Sequence, residues 1–92
     1  MITAIVHVDT EADQIPEAAK TIAELDGVAE VFSVTGDTDL IVMVRVREHD
    51  HLADVIADQI SKVPGVRATR TYIAFRAYSS HDLDSAFSLG LD

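Results

Sequence analysis

An internal repeat constrains this chain more than any other feature. Leu25-Asp26-Gly27-Val28 matches Val63-Pro64-Gly65-Val66 at an offset of 38 residues, and the offset holds upstream. Ile2, Ala4, Val6 and Val8 fall on Leu40, Val42, Val44 and Val46, while Ile15, Ala18, Ala19, Ile22 and Leu25 fall on Ala53, Ile56, Ala57, Ile60 and Val63. Two copies of a strand-helix-strand unit are implied. Two units are too few for a solenoid, which needs at least three to bury its faces, so the repeat predicts one pseudo-symmetric domain. A chain of 92 residues carries a single core, which excludes a multidomain enzyme.

Within each copy the elements are clear. Ile2 to Val8 is a short apolar run and reads as strand 1. Ile15, Ala18, Ala19, Ile22 and Leu25 then recur at helical spacing from about Asp13 to Leu25. Pro16 fits the first helical turn, where its missing N–H costs nothing, and Gly27 stops the helix. Val28 to Thr35 is strand 2, Gly36-Asp37-Thr38-Asp39 the turn, and Leu40 to Arg47 strand 3. His49-Asp50 opens helix 2, whose Leu52, Val55, Ile56, Ile60 and Val63 form one stripe, and Pro64-Gly65 ends it before strand 4, Val66 to about Arg76. The order βαββαβ predicts a ferredoxin-like α+β fold, a four-stranded antiparallel sheet with both helices on one face.

Strand alternation predicts which face meets the helices. Leu40, Val42, Val44 and Val46 point one way, with Ile2, Ala4, Val6 and Val8 of strand 1; this aliphatic set should pack on the helices. The other set holds Ile5, His7, Ile41, Met43, Arg45 and Arg47, where a solvated face would show only polar residues. Eleven Val and eight Ile, with 48% hydrophobic and only 5% aromatic residues, are more strand-forming aliphatics than one sheet face needs. The second face is therefore expected to pack against another subunit, with an apolar centre and a polar rim.

Charge and motifs exclude several functions. Seven basic against sixteen acidic residues give a net charge of -9, which repels a phosphate backbone. Six of the seven basic residues lie between Arg45 and Arg76, a pattern expected of solvated rims and ion pairs across an assembly. RNA-binding domains of this topology stack bases on aromatics of strands 1 and 3, and here neither strand has one. Acylphosphatase chemistry needs an anion-cradling loop after strand 1, where this chain has the acidic Asp9-Thr10-Glu11-Ala12-Asp13. No Cys offers a disulfide, thiolate or nucleophile. His49 and His51, two residues apart on a helix, do not face each other and make a zinc clamp improbable. Ser79, Ser80, His81 and Asp82 share a triad's composition but are sequence neighbours without a nucleophile elbow. No metal, cofactor or catalytic residue is expected. The N-terminus has no basic, cleavable leader and no apolar run reaches membrane-spanning length, so a cytoplasmic protein that meets no membrane is expected.

Thr35-Gly36-Asp37-Thr38-Asp39 is the segment with the most chemistry. Gly allows a sharp reversal that presents backbone N–H groups, and two carboxylates sit two residues apart. It is either an ordinary hairpin turn or a cradle for the ammonium and carboxylate of an amino acid; a Ca²⁺ or Mg²⁺ site would need further oxygen ligands. After Tyr78, Leu83, Ala86 and Phe87 have the spacing of a short amphipathic helix, which divides the chain into a domain at 1–77 and a tail at 78–92.

Leu25-Asp26-Gly27-Val28 leading into a strand, Thr35-Gly36-Asp37-Thr38-Asp39-Leu40 at the hairpin, Val63-Pro64-Gly65-Val66 after helix 2 and Thr69-Arg70-Thr71 in strand 4 together resemble the effector-binding (RAM) domain of the Lrp/AsnC transcription regulators, over about residues 2 to 76. The resemblance implies a homodimer formed through the open sheet faces as a dimeric α+β barrel, rings of dimers, and an amino acid held between dimers near the hairpin. Carried over by position, Gly36, Asp37, Thr38 and Asp39 would form the ligand loop, with Thr69 and Thr71 as further contacts. Thr38 stands where the family often has an aromatic, so the ligand's identity is not inherited. Met1 opens directly on strand 1 without a helix-turn-helix, which implies a stand-alone module acting on transcription through full-length Lrp/AsnC regulators, without direct contact to nucleic acid. Asp39→Ala is expected to abolish binding and leave the fold intact. The rival is a small enzyme on a dimeric α+β barrel, for which His7 is the one obvious candidate group.

Overall fold

Each half of the repeat folds as strand, helix, strand. The computed structural model describes residues 1–80. Its elements are β1 (Ile2–Thr10), a 3-10 turn (Ala12–Gln14), α1 (Ile15–Ala23), β2 (Val28–Ser33), β3 (Leu40–Val46), α2 (His49–Ala53) and β4 (Val66–Ile73). The strands form one antiparallel sheet in the order β2-β3-β1-β4, the ferredoxin-like arrangement with β1 and β3 at its centre. The tail helix expected around Leu83, Ala86 and Phe87, and the His81-Asp82 pair, lie outside the described residues.

Pairing explains where β1 ends. β1 runs past Val8 because β4 continues beside it, Asp9 opposite Ala68 and Thr10 opposite Val66. β4 stops at Ile73, short of Arg76: Ile73 lies opposite Ala4, and one more bond joins the Ala74 N–H to the Thr3 carbonyl at 2.9 Å. Both edge strands carry an irregularity. The register of β2 on β3 steps from Val28 to Glu30, and that of β4 on β1 from Ala68 to Val66. The skipped residues, Ala29 and Arg67, are themselves 38 positions apart, so the repeat extends to its bulges.

The aliphatic strand faces meet the helices as alternation predicts. Ala4, Val6, Val8, Leu40, Val42, Val44 and Val46 join Ala18 and Ile22 of α1 and Leu52, Val55, Ile60 and Val63 of the second helical segment in one core. Ile22, Leu40 and Ile60 are wholly buried, each removal from water contributing about 1.5–3 kcal/mol. The second helix departs from a regular α-helix. α2 leads into a π-helical turn (Asp54–Gln59) and a 3-10 turn (Ile60–Lys62). A five-residue step brings Val55 and Ile60 onto one face when hydrogen bonds run i to i+5, and both are buried. Ser61 follows the same step, its hydroxyl donating to the Ile56 carbonyl at 2.9 Å.

The face turned from the helices is less polar than a solvated one. Residues opposite each other across antiparallel strands share a face. Ile5 with Met43, His7 with Ile41, Phe32 with Ile41 and Tyr72 with Ile5 therefore stand together. Phe32 and Tyr72 keep 46% and 55% of their surface exposed. The aromatics absent from the central strands thus sit on the two edges.

Gly27 ends α1 at φ +92°, where a Cβ would lie 2.9 Å from Val55 Cγ2 and 3.1 Å from Val46 Cγ1. Both neighbours are core side chains with no room to retreat. Gly27→Ala should cost about 2–4 kcal/mol through left-handed strain and overpacking, read as a lower midpoint in chemical denaturation at unchanged m-value.

Candidate functional site

The β2–β3 hairpin is fastened to the end of β1 by its own side chains. The Val34 N–H donates to the Asp39 carbonyl at 3.1 Å and closes the loop. The Val8 carbonyl accepts twice, from the Asp39 N–H and from the Thr38 hydroxyl, each at 3.2 Å. Asp39 Oδ2 accepts from the Thr10 N–H at 2.9 Å, an amide that the register shift leaves outside the regular ladder. Thr38 is buried and Asp39 half-buried, whereas Gly36 and Asp37 are exposed. At Gly36 φ is +120° and nothing lies within 4 Å of the point where a Cβ would stand, so the turn needs Gly for its backbone and leaves open space beside it.

The sequence-chosen residues therefore divide by job. Thr38 and Asp39 brace the hairpin, and Asp39 keeps one carboxylate oxygen, Oδ1, without a hydrogen bond among the described residues. The Thr10 bond adds a structural role for Asp39 to the binding role expected of it. Gly36 and Asp37 face solvent at the tip. Thr69 lies opposite Val8, which lies opposite Leu40, so it shares the row at the root of the hairpin, two strands or about 10 Å away. Thr71 is one pleat further on. It opens into an apolar groove of about 320 Å³ between α2 and β4, lined by Leu52, Ala53, Ile56, Ala57 and Ile73 with His49 at its rim. The fold thus gathers Thr38, Asp39 and Thr69 at one end of the sheet and places Thr71 beside a separate groove.

Thr10 was not visible from the sequence. It is 3% exposed, its N–H holds Asp39, and its own hydroxyl is buried without a partner among the described residues. Alternation with Ala4, Val6 and Val8 buries its side chain, while the bulge, which depends on pairing with β4, frees its amide for Asp39. The larger cleft, about 520 Å³, lies at the opposite end of the sheet among Asp26, Arg45, Arg47, His51, Asp54 and Gln59. Its charged side chains are of both signs. Among the described residues no three metal-ligating side chains come together, and no helix is long and apolar enough to cross a membrane. His7, the candidate group of the enzyme reading, faces away from the helices, with its ring 5.2 Å from that of Tyr72.

This geometry has known relatives. A family profile described as the Lrp/AsnC ligand binding domain matches residues 3–83. The HTH-type transcriptional regulator LrpA1 of Halobacterium salinarum is 40% identical over 65 residues, 71% of this chain and 46% of the regulator. The chain spans about half the length of the curated relatives it matches. The crystal structure of a Thermus thermophilus protein superposes with a TM-score of 0.81 at 43% identity, covering 86% of this chain and 99% of that one. A feast or famine regulatory protein of M. tuberculosis, complexed with L-methionine, has a TM-score of 0.71 at 25% identity, covering 87% of this chain and 54% of that one. With the Lrp/AsnC ligand binding domain matched over residues 3–83 and a fold shared with that Thermus structure, this chain belongs to the Lrp/AsnC family.

Proposed function

We propose that this chain is an effector-binding and self-assembly module, taking an amino acid at the hairpin end of the sheet and pairing with a second copy through the open sheet face. The observation that carries the reading is the match to the ligand binding domain over residues 3–83, supported by a relative of the same fold that holds L-methionine. The exposed backbone at Gly36 and Asp37, the free oxygen of Asp39 and the hydroxyl of Thr69 supply donors and acceptors of the kind an ammonium and a carboxylate require, with Thr38 bracing the loop beneath them. The domain acts without catalysis and without direct contact to nucleic acid, in the cytoplasm. Homodimers assemble further into rings, and co-assembly with full-length Lrp/AsnC regulators carries the effector signal to transcription.

The open face supplies the reason to pair. Ile5, Ile41, Met43, Phe32 and Tyr72 form an apolar centre, with Glu30, Arg45 and Arg70 around them. That composition is the one expected of a subunit contact. Ile41→Asp should yield a folded monomer of 10.0 kDa by sedimentation equilibrium where the parent chain sediments as a dimer or larger.

Calorimetric titration with the twenty amino acids, with mass measured by light scattering before and after, tests effector binding; a chain that binds none of them ends this reading. Asp37→Ala should weaken the titrated effector at least tenfold with stability unchanged within about 0.5 kcal/mol, because Asp37 is exposed and its side chain bonds to nothing among the described residues. Asp39→Ala should weaken binding and also cost about 1–2 kcal/mol in chemical denaturation, since it strips the Thr10 amide of its acceptor.

A further inference from the structure

We infer that self-association through the open sheet face is controlled by protonation of His7, so that the dimer holds at neutral pH and comes apart as the medium turns acidic. The inference rests on the proposed reading of that face as the subunit contact.

His7 stands near the middle of the face. It lies on the central strand β1, with Ile41 opposite on β3, Arg70 opposite on β4, and Ile5 and Asp9 on the same side of its own strand. The Tyr72 ring packs on it at 5.2 Å and 63°. In the single chain the imidazole is half-exposed, so water can hydrate its charged form. Among the described residues no helix packs on this side, and the charged groups that face it come from the strands. Asp9 and Arg70 are nearest and are engaged with each other at 3.9 Å. Arg45 lies opposite Thr3 and Glu30 opposite Met43. The nearest carboxylate that could favour an imidazolium is thus already beside a guanidinium, and that guanidinium repels a second cation.

A two-fold contact brings the residues nearest its axis against their own copies. The centre of this face lies between β1 and β3, around Ile5, His7, Ile41 and Met43. Covering it takes the imidazole of each copy out of water beside Ile41, Tyr72 and Arg70. A neutral imidazole accepts that at little cost, whereas a charged one must be desolvated beside the Arg70 guanidinium. The dimer therefore binds fewer protons than two separate chains. Its stability is therefore greatest where the imidazoles are neutral and is lost as acid protonates them. Excluding one proton per subunit raises Kd about tenfold per subunit between about pH 7.5 and pH 5.5, or about 100-fold for the pair.

Sedimentation equilibrium over a dilution series at the two pH values, with circular dichroism confirming the fold at each, measures this directly. The parent chain should show the rise of about 100-fold, and His7→Gln should form a dimer whose Kd changes less than threefold. The double variant His49→Gln/His51→Gln, altered only on the helical layer, should keep the parent's full dependence. A dimer with equal Kd at both pH values overturns the inference and leaves the subunit contact standing. The same weakening in His7→Gln also overturns it, by assigning the effect to other groups. A chain that is monomeric at both values brings down the contact itself and the inference with it.

Discussion

β1 and β3 send one set of aliphatic side chains into the helices and leave Ile5, Ile41 and Met43 on the other side, and this double-sided apolarity governs the molecule. A sheet of four short strands with helices on one face needs a single greasy side. The second one adds free-energy cost in water unless something covers it. The edges do not relieve this, since Phe32 on β2 and Tyr72 on β4 widen the apolar area instead of ending it. The polar residues on that face are at its border or, in the case of His7, inside it.

Much of this could be read from the residues in order. The repeat set the order of elements, and alternation within Leu40–Val46 separated the core face from the open one without knowledge of any partner. Quantities that depend on pairing could not be read. The strand end at Thr10 is set by where β4 begins beside it, and the bulges at Ala29 and Arg67 carry no residue signature. The π-helical turn is the clearest case. Leu52, Ile56, Ile60 and Val63 already read as a regular α-helical stripe, so nothing in the spacing announces the widened turn that buries Val55 with Ile60.

The same limit applies to the candidate site. Gly36, Asp37, Thr38 and Asp39 were identifiable as a polar turn, but their division into bracing and open groups follows from Val8 and Thr10, about thirty residues earlier in the chain. Thr10 is a core-facing residue by alternation, yet its amide is a structural donor and its hydroxyl an unmet polar group among the described residues. Burial of an unpaired hydroxyl is uncommon in folded proteins and costs roughly 1–3 kcal/mol. That it stands beside Asp39 places the cost where the hairpin is anchored.

The repeat also shows why the candidate site falls where it does. The parts that recur 38 residues apart are the strands, the helices, the terminating glycines and the bulges, which together make the core. Gly36-Asp37-Thr38-Asp39 is the link between the two copies and has no counterpart: the equivalent stretch after β4 is Ala74-Phe75-Arg76-Ala77, with neither glycine nor carboxylate. A duplicated unit is bound by its own packing, because each copy must satisfy the same core. The link is under no such demand and is free to carry chemistry. Here it turns back on the first copy, bonding Thr38 and Asp39 to the end of β1, so the segment that joins the halves is also held against one of them. A loop so anchored presents its tip on a fixed base, which lowers the ordering cost of any contact made there.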